Sequence, residues 1–326
     1  MLETVSGVSN WRLTVRREPA GITVLRGTTC DRRAALPEEL WGVPVTALGD
    51  HALAPGAGEV SGQEVLVACG PAAADAQWDN RNLLELTLPA ALERAGDYAL
   101  FNCVNLKTLC LGDGVAHWGG GAIMNCRRLD TFRVDCSGRE GELLAYFAGE
   151  LPGELDVTLR RSGETAARLI FPEYVEVYEE NCPAHHFDYN IYGAGYGYHH
   201  CFYQKRLDLK AYDGLWRPML AMEHDGGCAL RLAWWRLRYP AGLTERAAED
   251  YRAYLRAHGL EAIRYLLSQR DAPGLRMLLA AAEPDRETLS AACALAREQG
   301  GAAALAVLLE EQHRRFPMGA ERRFEL

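Results

Sequence analysis

Apolar residues recur at a fixed spacing of 23 residues between Leu83 and about Cys136. The spacing is set by Leu83, Leu106 and Leu129, and further positions agree when the repeats are aligned on them. The matched positions are Leu86 with Leu109 and Phe132, Leu88 with Leu111 and Val134, Leu92 with Val115, Gly96 with Gly119, Ala99 with Ala122, Leu100 with Ile123, Asn102 with Asn125, and Cys103 with Cys126. A fixed period of this length predicts structural repeats that stack on one another.

Within each repeat, the first apolar residues are two positions apart, as Leu86 and Leu88 are. Residues i and i+2 share one face of a strand, whereas a helix would separate them by about 200°. The pattern therefore predicts a short strand, followed by a reversal at the recurring glycine and a second apolar step at Ala-Leu or Ala-Ile. One repeat cannot bury its apolar edge alone, so we expect the repeats to pack against their neighbours.

The strand, the glycine step and the Asn-Cys corner resemble the BspA-type leucine-rich-repeat family. The segment from Leu36 to Leu53 looks like the first such repeat, with Gly49 standing where Gly96 stands later. Because 47 residues separate these two glycines, we expect a degenerate repeat in between, at 54–80. The resemblance covers roughly residues 21–136 and implies a solenoid that binds other proteins.

Two surfaces of the predicted solenoid are candidates for binding. Side chains beside the strand leucines form a small polar face with few of the large anchors that strong interfaces use; they are Glu85, Thr87, Thr108, Cys110, Thr131 and Arg133. On the opposite side, Phe101 and Met124 occupy equivalent positions and are expected to lie on neighbouring repeats. They are interpreted either as an apolar contact for a partner or the second domain, or as filler beneath a loop.

Beyond Cys136 the period stops, and 137–161 predicts a helix, a Pro-Gly turn and a strand that cap the last repeat. We expect an α+β chain with a solenoid domain at 1–165 and a helical domain at 166–326. A Tyr/His-rich junction is expected at 171–216. It contains the FPEY, ENCPA and GAGYGY elements, which resemble a segment of bacterial leucine-rich-repeat proteins.

The C-terminal half predicts helices, with starts marked by Thr244, Asp271 and Pro284-Asp285 and a break at Gly300-Gly301. Residues 254–269 and 295–312 resemble the helix-loop-helix of ankyrin repeats, although the characteristic threonine-proline-leucine-histidine turn is missing. Spacing of three and four residues predicts a helical core. Its residues are Leu255, Ile263, Leu266, Leu267, Leu278, Leu279, Leu295, Leu305, Leu308 and Leu309.

The junction holds the residues that could carry chemistry. Cys182, His185 or His186, and His199 or His200 with Cys201 supply four potential zinc ligands, and Cys201 beside His200 is a conceivable activated thiol. His199, His200 and Cys201 are adjacent in the sequence, so two of them cannot easily bind the same tetrahedral metal ion. We therefore expect no metal, no cofactor and no catalytic residue, and the alternative is an enzyme or metal-binding protein that uses Cys182 to Cys201.

Aromatic residues make a second candidate site in the junction. Tyr189, Tyr192, Tyr196 and Tyr198 surround a Gly/Tyr turn at 193–198, which lacks the strand and helix that flank a phosphate-binding loop. Tyrosine is frequent in interfaces, so these rings either bind a peptide or pack against the end of the solenoid. Arg231, Trp234, Trp235, Arg236 and Arg238 could stack on bases, but an amphipathic helix with its tryptophans inward is the better account in an acidic chain.

Charge and composition narrow the choice of function. The net charge of -9 over 326 residues argues against nucleic acid as a partner, because such surfaces need clustered Lys and Arg. Neither a signal peptide nor a membrane span is evident in the sequence, so we expect a cytoplasmic protein. Its ten cysteines are spread over the chain and are interpreted mostly as small buried residues. The sequence thus predicts a non-enzymatic scaffold that binds a protein or peptide.

Overall fold

A computed structural model describes residues 3–70, 76–181, 186–222 and 227–317. The chain divides into two compact units, Met1–Asp208 and Leu209–Leu326. The expected boundary at 165/166 falls inside a strand of the first unit, Glu164–Phe171. The Tyr/His-rich segment up to Asp208 therefore belongs to the first unit, because its strands and short helix pack within that unit.

Unit 1 is built mainly of strands, and its bounds are as follows. The strands are β1 (Glu3–Ser6), β2 (Trp11–Glu18), β3 (Gly21–Thr29), β4 (Arg33–Ala35), β5 (Glu39–Leu40), β6 (Val43–Leu48), β7 (Gln63–Ala68), β8 (Glu85–Thr87), β9 (Arg94–Ala95), β10 (Thr108–Gly112), β11 (His117–Trp118), β12 (Thr131–Asp135), β13 (Leu155–Arg161), β14 (Glu164–Phe171), β15 (Val175–Asn181), β16 (His186–Tyr192), β17 (Phe202–Tyr203) and β18 (Arg206–Leu207). Its helices are α1 (Glu140–Glu150) and α2 (Gly195–His199), with a 3-10 turn at Asn80–Asn82.

Unit 2 is helical throughout the part that the structure describes. Its helices are α3 (Leu209–Gly214), α4 (Trp216–Met222), α5 (Gly227–Arg238), α6 (Glu245–Ala257), α7 (Gly259–Gln269), α8 (Ala272–Ala282), α9 (Arg286–Glu298) and α10 (Ala302–Arg315). The two units together make an α+β chain, as the sequence predicted.

The 23-residue period sets the pairing of the central strands. In one sheet, ordered β14-β13-β12-β10-β8-β4, strand β10 pairs in parallel with β8 and β12, and Thr108 lies beside Glu85 and Thr131. In the other, ordered β1-β7-β2-β3-β6-β9-β11, strands β9 and β11 pair in parallel with Arg94 beside His117. Both registers equal the sequence period, because equivalent residues of neighbouring repeats carry the same ladder hydrogen bonds.

The prediction of a degenerate repeat at 54–80 is wrong. Strand β4 pairs directly with β8, and β6 pairs directly with β9, so the first repeat lies against the one that begins at Leu83. The intervening chain instead supplies β7, which pairs with β1 and β2. The apolar alternation of Val65 and Val67 fills the edge of the N-terminal β2–β3 hairpin, and no repeat period signals such an edge.

Asparagine side chains link the repeats to one another, and one of them, Asn80, is buried. Asn80 accepts a hydrogen bond from the Thr29 amide at 3.0 Å and donates to the carbonyl oxygens of Gly27 and Leu53 at 2.8 Å. Asn102 and Asn125 both adopt positive φ angles, which asparagine tolerates, and the Asn125 amide donates to the Asn102 side chain. The Asn80 bonds satisfy buried backbone groups that would otherwise lack partners, and the asparagine pair links two successive repeats side chain to side chain.

The glycine step brings neighbouring repeats into close backbone contact. A Cβ atom on Gly119 would lie 2.4 Å from the Asp97 amide nitrogen, and one on Gly96 would lie 2.6 Å from the Asp50 amide nitrogen. Both obstacles are backbone atoms, which cannot turn aside as a flexible side chain can. We call Gly49, Gly96 and Gly119 the glycine column; the absence of a side chain at Gly96 and Gly119 permits the observed spacing.

The predicted cap is present, with one additional strand. Helix α1 precedes β13, which pairs in parallel with β12, and β14 then pairs antiparallel with β13. The turn between β13 and β14 uses positive φ angles at Ser162 and Gly163. Asp113 accepts backbone hydrogen bonds from Ser137, Gly138 and Arg139 at 2.8 to 3.0 Å, which fixes the chain at the start of α1.

The helical starts of unit 2 follow the sequence signals. Thr244, Asp271 and Asp285 cap α6, α8 and α9 by accepting backbone amides, and Gly300-Gly301 separates α9 from α10. Most of the predicted helical core is buried, but Leu309 is exposed, so its placement in the core was wrong. Helix α10 packs through Val307 and Leu308, and Leu309 stands about 100° further round the helix.

Helix α5 turns both tryptophans inward, as predicted, and it also buries a charge. Arg236 is completely buried and donates two hydrogen bonds of 2.8 Å to the carboxylate of Asp213. Tyr251 donates to the same carboxylate at 2.8 Å. Arg236, one of the arginines next to the tryptophans, is therefore part of the core of the unit.

The glycine column can be tested with two adjacent glycines. Gly119→Ala is expected to lower the free energy of unfolding by roughly 1–3 kcal/mol, because the added methyl group meets fixed backbone. Gly120→Ala is the matched control, since a Cβ there lies 3.8 Å from the nearest atom, an Asp97 oxygen. Urea denaturation of both variants measures the difference, and equal stability would contradict the role of the column.

The buried ion pair of unit 2 gives a second stability prediction. Arg236→Met should destabilise the unit by about 3–5 kcal/mol, because it leaves the Asp213 carboxylate buried without its cation. Arg217→Met removes an exposed partner of Asp250 and should change stability far less. Thermal unfolding followed by circular dichroism compares the two; a similar loss in both would contradict the importance of burial.

Candidate functional site

The strands β15 and β16 form a two-stranded antiparallel hairpin that carries aromatic side chains. Tyr178 lies directly opposite Tyr189, and Val175 lies opposite Tyr192. Strand alternation places Glu176, Tyr178, Phe187, Tyr189 and Ile191 on one face of this hairpin, with Val175 and Tyr192 on the other. The exposed fractions are 72% for Tyr178, 71% for Phe187, 47% for Tyr189 and 56% for Tyr192.

The aromatic face also contains a carboxylate. The rings of Tyr178 and Tyr189 lie 4.7 Å apart, and the Tyr178 hydroxyl donates to Glu176 at 3.4 Å. Partial desolvation and the hydrogen bond to Glu176 raise the pKa of Tyr189, so this phenol stays neutral and keeps its hydrogen bond to that carboxylate. We call Glu176, Tyr178, Phe187, Tyr189 and Tyr196 the acidic aromatic surface.

Helix α2 supports the base of the hairpin. Tyr196 is partly exposed, packs edge-on against Tyr174 at 5.5 Å and stacks on His200 at 4.1 Å. Tyr198, by contrast, is fully buried, so its side chain cannot contact a partner and it does not belong to the surface. Of the predicted binding tyrosines, the structure brings Tyr189 and Tyr196 to this face and places Tyr192 on the opposite one.

The Gly/Tyr turn expected at 193–198 is confined to a bend at Gly193-Ala194, which lies between the end of β16 at Tyr192 and the start of helix α2 at Gly195. A Cβ on Gly195 would lie 2.0 Å from the Pro172 carbonyl oxygen, and the Gly195 amide donates to Glu173 at 3.0 Å. The glycines are thus explained by close packing against the backbone before β15. Helix α2 has only five residues, too short for an anion site at its N-terminus.

His199 fixes α2 to the rest of unit 1. It is buried, and its Nδ1 and Nε2 atoms lie 2.9 Å from the carbonyl oxygens of Ala148 and Pro172, respectively. Burial lowers the pKa of His199 from its ordinary value of 6.5, while the two carbonyl groups oppose that shift. A neutral imidazole has one N–H, so it donates to only one of the two carbonyls at a time.

The proposed zinc ligands are only partly described. Cys182 and His185 lie outside the described residues, as does the side chain of His186. Of the others, Cys201 is buried and donates to the Tyr198 carbonyl at 2.9 Å, and His200 Nδ1 lies 2.7 Å from the Tyr196 carbonyl oxygen. Among the described residues, no group of three or more His, Cys, Asp or Glu side chains is arranged to hold a metal ion.

Two thiol groups at equivalent repeat positions of unit 1 have a structural role. Cys103 and Cys126 are buried and donate to the carbonyl oxygens of Leu53 and Leu100 at 3.5 and 3.2 Å. Burial raises the pKa of Cys126 to about 12, so this thiol stays protonated at neutral pH. A protonated thiol is a poor nucleophile and a weak hydrogen-bond donor.

Comparisons with known proteins gave distant matches only. No protein-family model matches the chain, and no curated protein matches it. Among solved structures, a leucine rich cell surface protein from Faecalibacterium prausnitzii A2-165 is similar at 19% identity and a TM-score of 0.26, over 47% of this chain and 38% of that one. A leucine rich repeat protein of T. pallidum is similar at 20% identity and a TM-score of 0.22, over 37% of this chain and 68% of that one. The chain thus spans less than half the length of the first.

No helix among the described residues combines the length and apolar character needed to cross a membrane.

Phe101 and Met124 occupy a second, smaller apolar surface. Met124 is 51% exposed, whereas Phe101 is half-buried beneath Tyr98, with ring centres 5.7 Å apart. The backbone amide of Asn102, which follows Phe101, donates to the Met124 carbonyl oxygen. Phe101 and Met124 therefore lie on adjacent repeats, as expected. His51 stacks on Tyr98 at 5.1 Å and continues this ridge on to the first repeat.

The polar face of the parallel sheet is neutralised by its own ion pairs. Arg133 donates to Glu85 at 2.9 Å, and two bidentate pairs join Arg160 to Asp135 and Arg168 to Asp156. A binding partner would have to displace these contacts. This face therefore suits weak recognition or none, in agreement with its sequence.

Two open clefts are lined by charged side chains that already form ion pairs or hydrogen bonds within the chain. The one in unit 1 has a volume of about 470 Å³, and there Arg94 pairs with Glu18 while Arg26 donates to three backbone carbonyls. In unit 2, a cleft of about 310 Å³ contains the Arg217–Asp250 pair. These contacts favour a structural role for the charged groups in both clefts.

Three residues of the acidic aromatic surface were missed in the sequence, namely Glu176, Tyr178 and Phe187. A signal existed in His186 to Tyr192, where Phe187, Tyr189 and Ile191 alternate with Asp188 and Asn190. In Val175 to Asn181 the alternation covers only the first three residues. The alternation was overlooked because neither face is a conventional apolar face, and the Gly/Tyr/His composition suggested a loop.

The state of His199 leads to a pH prediction. Since its pKa is lower in the folded chain than in the unfolded chain, the unfolded chain takes up the proton first as pH falls below about 6.5. We expect unit 1 to lose stability over that window and His199→Asn to flatten the pH dependence. His200→Asn, which changes an exposed ring, is the control; chemical denaturation at several pH values measures both, and parallel profiles for wild type and His199→Asn would contradict the assignment.

Proposed function

We propose that this chain is a non-enzymatic protein-interaction scaffold. Its first unit is a BspA-type leucine-rich-repeat solenoid with an attached binding hairpin, and its second consists of ankyrin-like helical hairpins. The observation that carries the proposal is the acidic aromatic surface, whose three large rings on β15 and β16 are largely exposed. The cytoplasmic location stays a prediction from the sequence.

The composition of this surface supports a role in binding. Tyrosine presents a large contact area with few rotatable bonds, so ordering it in an interface costs little conformational entropy. A two-stranded hairpin is marginally stable in water by itself. The cross-strand pair of Tyr178 and Tyr189 adds only about 0.2–1 kcal/mol to its folding. Their placement on the outside of a supported hairpin is therefore better explained by a partner than by the stability of the fold.

The solenoid proposal rests on the register of the parallel strands. Equivalent residues of successive repeats pair with each other at the 23-residue period, and the repeats share the glycine column. Such stacks provide a rigid support on which a separate element can be displayed. The ridge of Phe101 and Met124 is a secondary candidate surface, because it is smaller and Phe101 is half-buried.

A test of the proposed function needs a partner and two classes of variant. Affinity capture from the native source supplies the partner, which is then purified and titrated against the full chain by calorimetry. The double variant Tyr178→Ser, Tyr189→Ser should weaken binding by about 2 kcal/mol, or roughly thirtyfold in Kd, as expected for aromatic residues at the centre of an interface.

Controls separate this surface from general effects of exposed rings. Tyr203→Ser removes another exposed tyrosine, on β17, and should leave Kd unchanged. Met124→Asp tests the secondary ridge in the same assay. Full binding by the double tyrosine variant, with its circular dichroism spectrum intact, would rule out the acidic aromatic surface as the contact.

A further inference from the structure

We propose that the acidic aromatic surface binds an arginine-rich segment of a partner protein. The inference rests on the proposed function and adds the chemistry of the ligand: a positively charged, extended peptide whose guanidinium groups lie on the tyrosine rings.

The charge of the hairpin region is the first argument. Between Arg168 and Lys205 the sequence contains no Lys or Arg, although 35 such residues occur in the chain. The same interval contains five acidic residues, Glu173, Glu176, Glu179, Glu180 and Asp188, together with ten Phe or Tyr residues. A region with aromatic rings and acidic charge but no Lys or Arg is complementary to a basic ligand.

The register of the hairpin concentrates that charge. Glu179 lies directly opposite Asp188 in the strand pairing, so two acidic residues are cross-strand neighbours on the face that also carries Tyr192. Like charges in that position disfavour pairing of the strands. Glu179 and Asp188 lie on the face opposite Tyr178 and Tyr189, so they add to the negative charge of the hairpin without being part of the acidic aromatic surface.

The geometry of the tyrosine face favours arginine over other cations. The 4.7 Å separation of the Tyr178 and Tyr189 rings gives a broad aromatic area, and the Glu176 carboxylate lies within hydrogen-bonding reach of Tyr178. A planar guanidinium can stack on the rings and at the same time donate to the carboxylate, which a lysine ammonium does less well. Nucleic acid is disfavoured here, since its phosphates would be repelled.

The same combination already occurs within unit 2. The guanidinium of Arg238 lies 5.6 Å from the ring centre of Trp235 and 5.7 Å from that of Tyr239, and it forms an ion pair with Asp271. There the cation is supplied by the chain itself. On the acidic aromatic surface the rings and the carboxylate are exposed, and we assign the cation to a partner.

The test uses labelled peptides of alternating Arg and Ser, Lys and Ser, or Glu and Ser, titrated into the full chain and followed by fluorescence anisotropy. The Arg peptide should bind most tightly, the Lys peptide more weakly and the Glu peptide not at all, and added salt should weaken binding. Tyr189→Leu and Glu176→Gln should each reduce affinity for the Arg peptide about twofold to fivefold. Tyr203→Leu and Glu164→Gln are matched controls that remove an exposed ring and an exposed charge elsewhere in unit 1.

Equal binding of the Arg and Glu peptides, or an unchanged affinity in both Tyr189→Leu and Glu176→Gln, would overturn the inference. Light scattering addresses occupation by a second copy: a dimer that Tyr178→Ser dissociates, without any binding of the Arg peptide, would also overturn it. If a captured partner loses affinity for the double tyrosine variant but the Arg peptide does not compete with it, the proposed function stands and only the arginine inference fails.

Discussion

Close contact between the backbones of successive repeats is the constraint on which unit 1 depends. Strands of neighbouring repeats pair residue for residue, and the glycine column lets the second ladder reach the same separation as the first. A Cβ at Gly96 or Gly119 would press on the backbone of the preceding repeat and strain the pairing between the two. The buried leucines can interlock only because this spacing is held.

The tight stack has a consequence for recognition. Its outward strand face is narrow, and the long charged side chains on it reach across strands to pair with each other, as Arg133 does with Glu85. A face whose charges are mutually satisfied offers a partner little net electrostatic gain. The proposed binding surface lies instead on the appended hairpin, where acidic and aromatic side chains occur without lysine or arginine.

Buried polar groups connect the pieces that the repeat itself does not hold. Asn80 ties the strand-bearing insertion to the first repeat, and His199 ties the helix beneath the hairpin to two backbone carbonyls. In unit 2, Asp213 joins Arg236 and Tyr251 in one network. Burial of each polar group costs desolvation free energy, which its hydrogen-bond partners offset. Removal of one partner would therefore leave another polar group buried and unsatisfied.

The sequence alone determined the features that arise from local periodicity. The strand register, the α+β class, the cap helix and the starts of α6, α8 and α9 were predictable, because each depends on spacing or on a capping residue a few positions away. The tertiary structure decided what distant partners control. It assigned β7 to an N-terminal sheet, buried Tyr198 and Arg236, exposed Leu309, and put Tyr178 opposite Tyr189. Each of these outcomes depends on a strand edge, a carbonyl group or a carboxylate that lies far away in the sequence. The spacing of residues along the chain does not show which distant groups come together.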